Sequence, residues 1–323
     1  MEGDGSVKRV LCVGMMVCDT LLFPVPADVL EQDSVSIQTP VTSCGGDALN
    51  VAMALSRLGA ETAICGRVGR DKNGDYIQTA CQEAKIDTSG ITIDLEYGTA
   101  ASYALIDLNG ERHFLSDRKI FHRLTDTDVP DRLLDWADIV YMGSALAMEQ
   151  MNAGGLERLF RRAKARGKIT VMDAALSDAT APDSWLEQLK PVLAYTDVFF
   201  PSREEAQSIA GTQELETILE CFRGLGLGAF GVKLGADGCV VTDFRRTEHI
   251  AAVPDIKVVD TCGAGDSFVA GFLQGRLQGW DIFSCARLGS CVAALNVQAV
   301  GGTAGVPTFD SALAYYHRIY PKN

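Results

Sequence analysis

The hydrophobic positions of this chain fall in short runs that alternate with amphipathic stretches. Arg9–Gly14 reads RVLCVG, an apolar run suited to a strand buried on both faces. An irregular, proline-containing stretch follows to about Ser43. Gly45-Gly46-Asp47 then opens a helical pattern through Leu58 that Gly59 ends. A strand over Thr62–Arg67 and a helix to about Ala84 continue the alternation.

The texture then changes. Ala101–Leu108 and Glu111–Ser116 flank Asn109-Gly110, a strong hairpin signal because both residues of such a turn take positive φ. A two-residue turn would set Asp107 opposite Arg112, Leu105 opposite Phe114 and Tyr103 opposite Ser116 on one face, with His113 beside Ile106 on the other. The hairpin reads as an antiparallel flap on a parallel sheet.

Beyond it the pattern predicts strands at Ile139–Met142, Ile169–Asp173, Val198–Phe200, Gly231–Leu234 and Cys239–Thr242. Helices are predicted near Gly155–Arg166, Trp185–Ala194, Arg203–Ala210 and Glu214–Leu225. Three more follow at Gly265–Gln278, Phe283–Val297 and Phe309–Tyr320. This alternation implies an α/β fold with a mostly parallel central sheet flanked by helices on both faces. With no repeat, low-complexity tract or long linker, residues 1–323 read as one domain plus the flap.

Charge narrows the partners. The chain carries 42 acids against 29 bases, a formal net charge of −13. Such a surface repels phosphates, so no nucleic-acid partner is expected. The apolar run Val10–Cys18 is too short for a membrane span. The opening MEGDGSVK is acidic and small, unlike a signal peptide. None of the ten cysteines forms a C-x-x-C pair or a zinc-type cluster with histidine, which points to reduced thiols in a cytoplasmic protein.

There is no G-x-x-x-x-G-K-[ST]. A G-x-G-x-x-G occurs at Gly226–Gly231, but it follows a helix and precedes a strand, the reverse of a dinucleotide fingerprint. The informative segment is Val258–Phe272, VVDTCGAGDSFVAGF. A short strand runs through Asp260 into Gly263-Ala264-Gly265 and then a helix. The glycines let the backbone turn and present N–H groups at a helix N-terminus, where unpaired donors and the dipole favour an anion. Asp266 follows in the first turn, where the dipole is expected to keep it ionised. A carboxylate beside a phosphate cradle is repulsive unless it takes a proton from an attacking hydroxyl, as phosphoryl transfer to an alcohol requires. In CGGDALNVAMALSRLG, Gly45-Gly46 permits close approach of backbone to a ligand, and Asn50, one turn on, has a donor and an acceptor. Asp19, just past the first strand, has two oxygens suited to a vicinal diol.

Together these pieces resemble the ribokinase-like (PfkB) family of carbohydrate and nucleoside kinases over nearly the whole chain. The match rests on GMMVCD, GGDALN, the hairpin flap, KLGADG at Lys233–Gly238 and DTCGAGD at Asp260–Asp266. The resemblance implies an ATP-dependent phosphotransferase with Asp266 as the base and Gly263, Ala264 and Gly265 as the anion hole for the γ-phosphoryl group. It implies that Asp19, Gly45, Gly46 and Asn50 hold the hydroxyls of a sugar, and that Lys233, Gly235 and Gly238 lie along the nucleotide. It implies a lid built from segments 16–43 and 97–120, which in many relatives also forms a homodimer contact.

One departure concerns magnesium. The family's N-x-x-E pattern, which organises Mg²⁺ and phosphates, reads Ser202-Arg203-Glu204-Glu205 here, so Glu205 is in place but serine stands for asparagine. The resemblance also implies a monovalent cation such as K⁺ held by backbone of Asp260 and Cys262 with the Val300–Gly302 loop. Arg112, Arg118, Lys119 and Arg123 make the flap basic, which would suit a sugar acid or sugar phosphate. A nucleoside kinase, favoured by an aromatic platform from Tyr103 and Phe114, and a catalytically silent binding relative are the other readings.

Overall fold

The computed structural model describes residues 8–176 and 184–321. The opening residues 1–7 therefore lie outside the described part. Nine strands form one sheet: β1 (Arg9–Val13), β4 (Glu61–Gly69), β5 (Asp87–Asp94), β8 (Ile139–Ala145), β9 (Ile169–Ala174), β10 (Val198–Phe199), β11 (Ala229–Lys233), β12 (Cys239–Thr242) and β13 (Thr247–Ile250). Their order is β13-β12-β11-β10-β9-β8-β1-β4-β5. All neighbours pair parallel except β11–β12 and β12–β13.

Successive side chains of a strand point to opposite faces, and β1 shows the result. Val10 and Cys12 enter one core, Leu11 and Val13 the other. The first core is covered by α1 (Asp47–Arg57), α2 (Lys72–Glu83), α8 (Ala264–Leu277), α9 (Ile282–Asn296) and α10 (Phe309–Ile319). The second is covered by α3 (Asp131–Trp136), α4 (Leu156–Lys164), α5 (Trp185–Leu193), α6 (Arg203–Ala210) and α7 (Leu215–Phe222). A run apolar at every position is thus satisfied by helices on both sides.

Helix α8 is seated tightly. Phe200 meets Phe268 and Phe272 edge-on, with ring centroids 5.1 and 5.0 Å apart. A Cβ at Gly271 would come within 2.9 Å of the Gly289 Cα, so this glycine lets α8 approach α9. Each buried phenylalanine contributes about 1.5–3 kcal/mol, and together they fix the start of α8 relative to the sheet.

The stretch before Ser43 departs from the irregular reading. It contains β2 (Val17–Leu22), and β3 (Val41–Gly45) follows. With β6 (Ala101–Ile106) and β7 (Arg112–Asp117) they form a second sheet ordered β3-β2-β6-β7. β2 pairs antiparallel with β3 and parallel with β6, and β6 pairs antiparallel with β7. The Gly226–Gly231 segment lies between α7 and β11, as loop and strand.

The hairpin register also differs, by one residue. Ile106 opposes Arg112, Ala104 opposes Phe114, Tyr103 opposes Leu115 and Ser102 opposes Ser116. Of the two turn residues, Gly110 alone has positive φ, at 86°. The loop is a three-residue one in which the Asp107 carboxylate accepts from the Asn109 and Glu111 N–H groups, each at 2.8 Å. That side chain rewards a type I turn followed by a left-handed glycine over the two-residue turn. The shift separates Tyr103 from the face that carries Arg112 and Phe114.

Candidate active site

The carboxyl ends of β8, β9 and β11 meet the amino ends of α1 and α8, the place where open α/β sheets bind ligands. Helix α1 starts at Gly46, whose φ is 91° and whose added Cβ would lie 2.5 Å from the Met15 carbonyl oxygen. Helix α8 starts at Gly263, with φ 68° and an added Cβ 1.9 Å from the Gly302 carbonyl oxygen. Neither position admits a side chain without moving backbone.

The two motifs meet directly. Asn50 Nδ2 donates to Asp266 Oδ2 at 2.8 Å across 216 positions of sequence. Ala264 and Gly265 form the first turn ahead of Asp266; the Ala264 N–H rests on the Thr261 carbonyl at 3.2 Å, and first-turn N–H groups have no acceptor within the helix itself. Asp19 stands on β2 opposite Ser43, and its carboxylate lies over Gly45, where an added Cβ would fall 1.9 Å from Oδ2. Burial raises the Asp19 carboxyl to about 6.

Lys233, at the end of β11, is an ion-pair partner of Asp173 at the end of β9. Burial alone would push its amine down, but Asp173 and Glu205 raise it overall. Gly235 and Gly238 shape the β11–β12 turn with φ of 60° and 90°. Gly235 has open space where a Cβ would be, whereas a Cβ at Gly238 would meet the Ile250 carbonyl oxygen at 2.0 Å.

Ser202 caps α6. Its hydroxyl accepts from the Glu205 N–H at 3.3 Å, and its own N–H donates to Glu205 Oε2 at 2.6 Å. The hydroxyl is thus engaged in a reciprocal capping box, while Glu205 still lines the polar cavity. Asp260 is a buried junction. It accepts from the Cys262 N–H and from Arg112 Nη1, each at 3.0 Å, and from the Gly301 N–H at 3.0 Å. Burial works against ionisation there, but these donors hold the carboxyl below its ordinary range. The segments around Asp260, Cys262 and 300–302 are therefore brought together.

Two acids of this site were given no role from the sequence. Asp47 opens α1 and accepts from Ser144 Oγ at 2.6 Å. Ser144 is fully buried and adopts φ 61°, a conformation uncommon for a residue with a Cβ. Asp173 ends an otherwise apolar strand, and that lone carboxylate after ITVM was its only mark in the sequence. Asp47, Asp173, Glu205, Lys233 and Asp266 line one polar cavity of about 480 Å³.

The electrostatics overturn one expectation. Asp266 is not kept ionised by the helix terminus. Burial and the nearby Asp47 raise its carboxyl to about 8, against the Asn50 hydrogen bond and Lys233, which favour the ionised form. Like charges in a poorly hydrated pocket outweigh the dipole.

A second cavity, about 450 Å³ and mostly apolar, shares Lys233, Gly235, Ala236 and Gly265 with the first. Its walls include Val253, Ile256, Phe268 and Val297. The combined cleft offers an apolar half, a glycine-rich waist with one cation and an acidic end holding Asp266. Of the flap cations, Arg112 is engaged by Asp260, and Arg123 by Asp94 and Glu96. Arg118 lies close enough to Asp47 to favour its ionised form.

The pfkB carbohydrate kinase family model matches residues 7–309. The chain belongs to the pfkB family of carbohydrate kinases. It is a phosphotransferase acting on an alcohol group. A sugar kinase of Archaeoglobus fulgidus is 30% identical over 79% of this kinase and 98% of its own length. An ATP-dependent 6-phosphofructokinase of Thermoanaerobacterium thermosaccharolyticum is 26% identical over 97% of this kinase and 95% of its own length. Among solved structures, a fructokinase with bound ATP from Xylella fastidiosa superposes with a TM-score of 0.81 at 24% identity, covering 97% of this kinase and 99% of that chain. That likeness carries the fold. Among the described residues no helix is long and apolar enough to cross a membrane. Seven of the ten cysteines are buried, and none forms a disulfide.

Proposed function

We propose that this kinase transfers the γ-phosphoryl group of ATP to a hydroxyl of a small sugar or sugar derivative, with Asp266 as general base. The observation that carries this reading is the 2.8 Å bond from Asn50 to Asp266. It joins the glycine-opened helix α1 to the glycine-opened helix α8 where the apolar and polar cavities meet. The apolar half suits a purine ring. Gly263, Ala264 and Gly265 direct N–H groups at a developing phosphoryl charge, as such transfers require. Asp19, Gly45, Gly46 and Asn50 border the acceptor, and Lys233, Gly235 and Gly238 follow the nucleotide.

Magnesium fits this donor set. Among the described residues no group of three or more metal-binding side chains forms a protein cage. Mg²⁺ commonly needs none, taking one or two carboxylates and the substrate phosphates. Glu205 is the carboxylate we assign to it, and the ion would neutralise phosphate charge. A monovalent cation between the Asp260–Cys262 backbone and 300–302 is supported by the way Asp260 draws those segments together. We assign the second sheet the role of a lid over the acceptor, within one domain. Arg112, Phe114 and Asp19 share the face turned to the site, by the observed register. Tyr103 and Leu115, 41% and 60% exposed on the other face, are where a second copy would pack.

The test is ADP production with Mg²⁺, K⁺ and ATP across sugars, sugar acids, sugar phosphates and nucleosides. Turnover with a sugar is expected. Turnover only with a nucleoside replaces the acceptor class, and no turnover despite ATP binding points to a silent relative. Asp19→Ala should raise KM for the true acceptor about tenfold or more with kcat largely kept, since a hydrogen bond to a charged group contributes roughly 1.5–3 kcal/mol. An unchanged KM would remove Asp19 from the site.

The pH dependence has a definite sign. A base works only when deprotonated, and Asp266 is raised to about 8 in the free protein. kcat/KM should therefore climb with pH well above the ordinary carboxylate range, because that ratio reports the free enzyme. A profile flat from pH 5 to 8 contradicts Asp266 as the base.

A further inference from the structure

Tyr141 is fully buried in β8, yet among the described residues its hydroxyl has no hydrogen-bond partner. An orphaned buried hydroxyl is costly and calls for an explanation. Register places Cys12 of β1 and Val171 of β9 on either side of it. Register partners share a face, so Asp173, two residues past Val171, is the next side chain along on the same face as Tyr141. Of the charges that act on the Tyr141 hydroxyl, that of Asp173 is the strongest. The hydroxyl is held protonated by burial and then by the carboxylates of Asp173, Asp266 and Asp47, so it keeps a proton to donate.

Asp173 is 3% exposed and has two donors. Its own neighbour's N–H, from Ala174, reaches Oδ1 at 2.8 Å, and Lys233 holds Oδ2. In the reading above, which this inference rests on, Lys233 also faces the nucleotide phosphates. When the amine turns to phosphate, Asp173 is left as a buried carboxylate short of its cation, a strongly unfavourable state.

We propose that Tyr141 is a positioning residue that donates its hydroxyl to Asp173 when Lys233 engages the nucleotide, so that the lysine is free to leave. No bond is made or broken beyond this exchange of donors. The orphaned state of the hydroxyl in the structure described here, where Lys233 is on Asp173, is what such a reserve donor would show.

The test is calorimetric titration of Mg·ATP into wild type, Tyr141→Phe, Asp173→Asn and the double variant, with thermal unfolding of each free protein. Tyr141→Phe should weaken Mg·ATP binding about tenfold, the scale of one hydrogen bond to a charged group. Its free form should unfold no earlier than wild type, because an unsatisfied hydroxyl has been removed. In the Asp173→Asn background, where no charge needs a donor, adding Tyr141→Phe should change binding by less than about twofold. Binding within twofold of wild type for the single variant overturns the proposal, as does an equal loss in both backgrounds. A lower unfolding temperature with unchanged binding assigns Tyr141 to packing alone and overturns it too. Wild type that binds no Mg·ATP defeats the nucleotide reading and this inference with it, whereas wild-type binding beside an unaffected Tyr141→Phe defeats the inference alone.

Discussion

Asp266→Asn should bind Mg·ATP and acceptor nearly as wild type does and turn over about 10²–10⁴-fold more slowly, the usual worth of a positioned base. The amide matches the carboxylate in shape and can still accept from Asn50 Nδ2 through its oxygen, so the α1–α8 junction survives. It cannot take a proton from a hydroxyl. The same change should stabilise the fold. The Asp266 carboxyl titrates higher in the folded chain than in the unfolded one, so the ionised form is the disfavoured one. Its destabilising effect is absent well below the unfolded value and grows as pH rises toward about 8. The gain in melting temperature over wild type should therefore be larger at pH 8 than at pH 5. Steady-state kinetics beside melting curves at the two pH values check both halves. A variant within tenfold of wild-type kcat would remove Asp266 from the proton transfer, whatever its stability.

Gly263→Ala should lose at least about 10²-fold in kcat, the scale of one donor to a developing anion, and should also melt earlier. Two causes act together. A φ of 68° costs an alanine about 1–2 kcal/mol. Its Cβ would also sit 1.9 Å from the Gly302 carbonyl oxygen and 2.6 Å from its carbonyl carbon, and backbone cannot swing aside as a side chain does. Either 300–302 moves or the first turn of α8 tilts, and the N–H groups we assign to the phosphoryl group move with it. Gly265→Ala is the contrast. Its Cβ would meet only the flexible Lys233 side chain, no nearer than 3.4 Å, so its effect should be far smaller. Equal losses in the two variants would show that an added methyl group anywhere in this turn, not the Gly263 backbone conformation, governs the defect.

Much of the fold was legible because it follows from local pattern. Apolar runs bounded by amphipathic helices predict strands buried on both faces, and the helices from α4 to α10 fall where periodicity puts them. The glycine-flanked motifs were legible because few backbones other than tight helix entries need that spacing. What escaped depends on partners far away in sequence. β2 is half-exposed, with only Cys18 buried, so it lacks the clean alternation of a strand lying on a core, and β3 is set by pairing with it. Asp47 looks like an ordinary first-turn acid until Ser144, 97 positions later, closes on it. The ionisation of Asp266 was misjudged for the same reason, since its nearest like charge belongs to another helix.

One carboxylate outside the site, Asp107, governs which way β7 faces, because it holds the three-residue loop at 108–110. β7 has its face decided by that loop, and the face decides whether Arg112 reaches Asp260 at 3.0 Å. Without the Asp107 carboxylate the two-residue Asn109-Gly110 turn would be favoured at the same chain length, pairing Leu108 with Glu111 and rotating every side chain of β7 to the opposite side. Asp260 would then be a buried carboxylate without its guanidinium, although no residue near the phosphoryl site had been altered. Substitutions of Asp107 should therefore be purged, whereas deletion of one loop residue, which keeps Asp107 opposite Glu111, and substitutions at the exposed Leu108 should pass unnoticed.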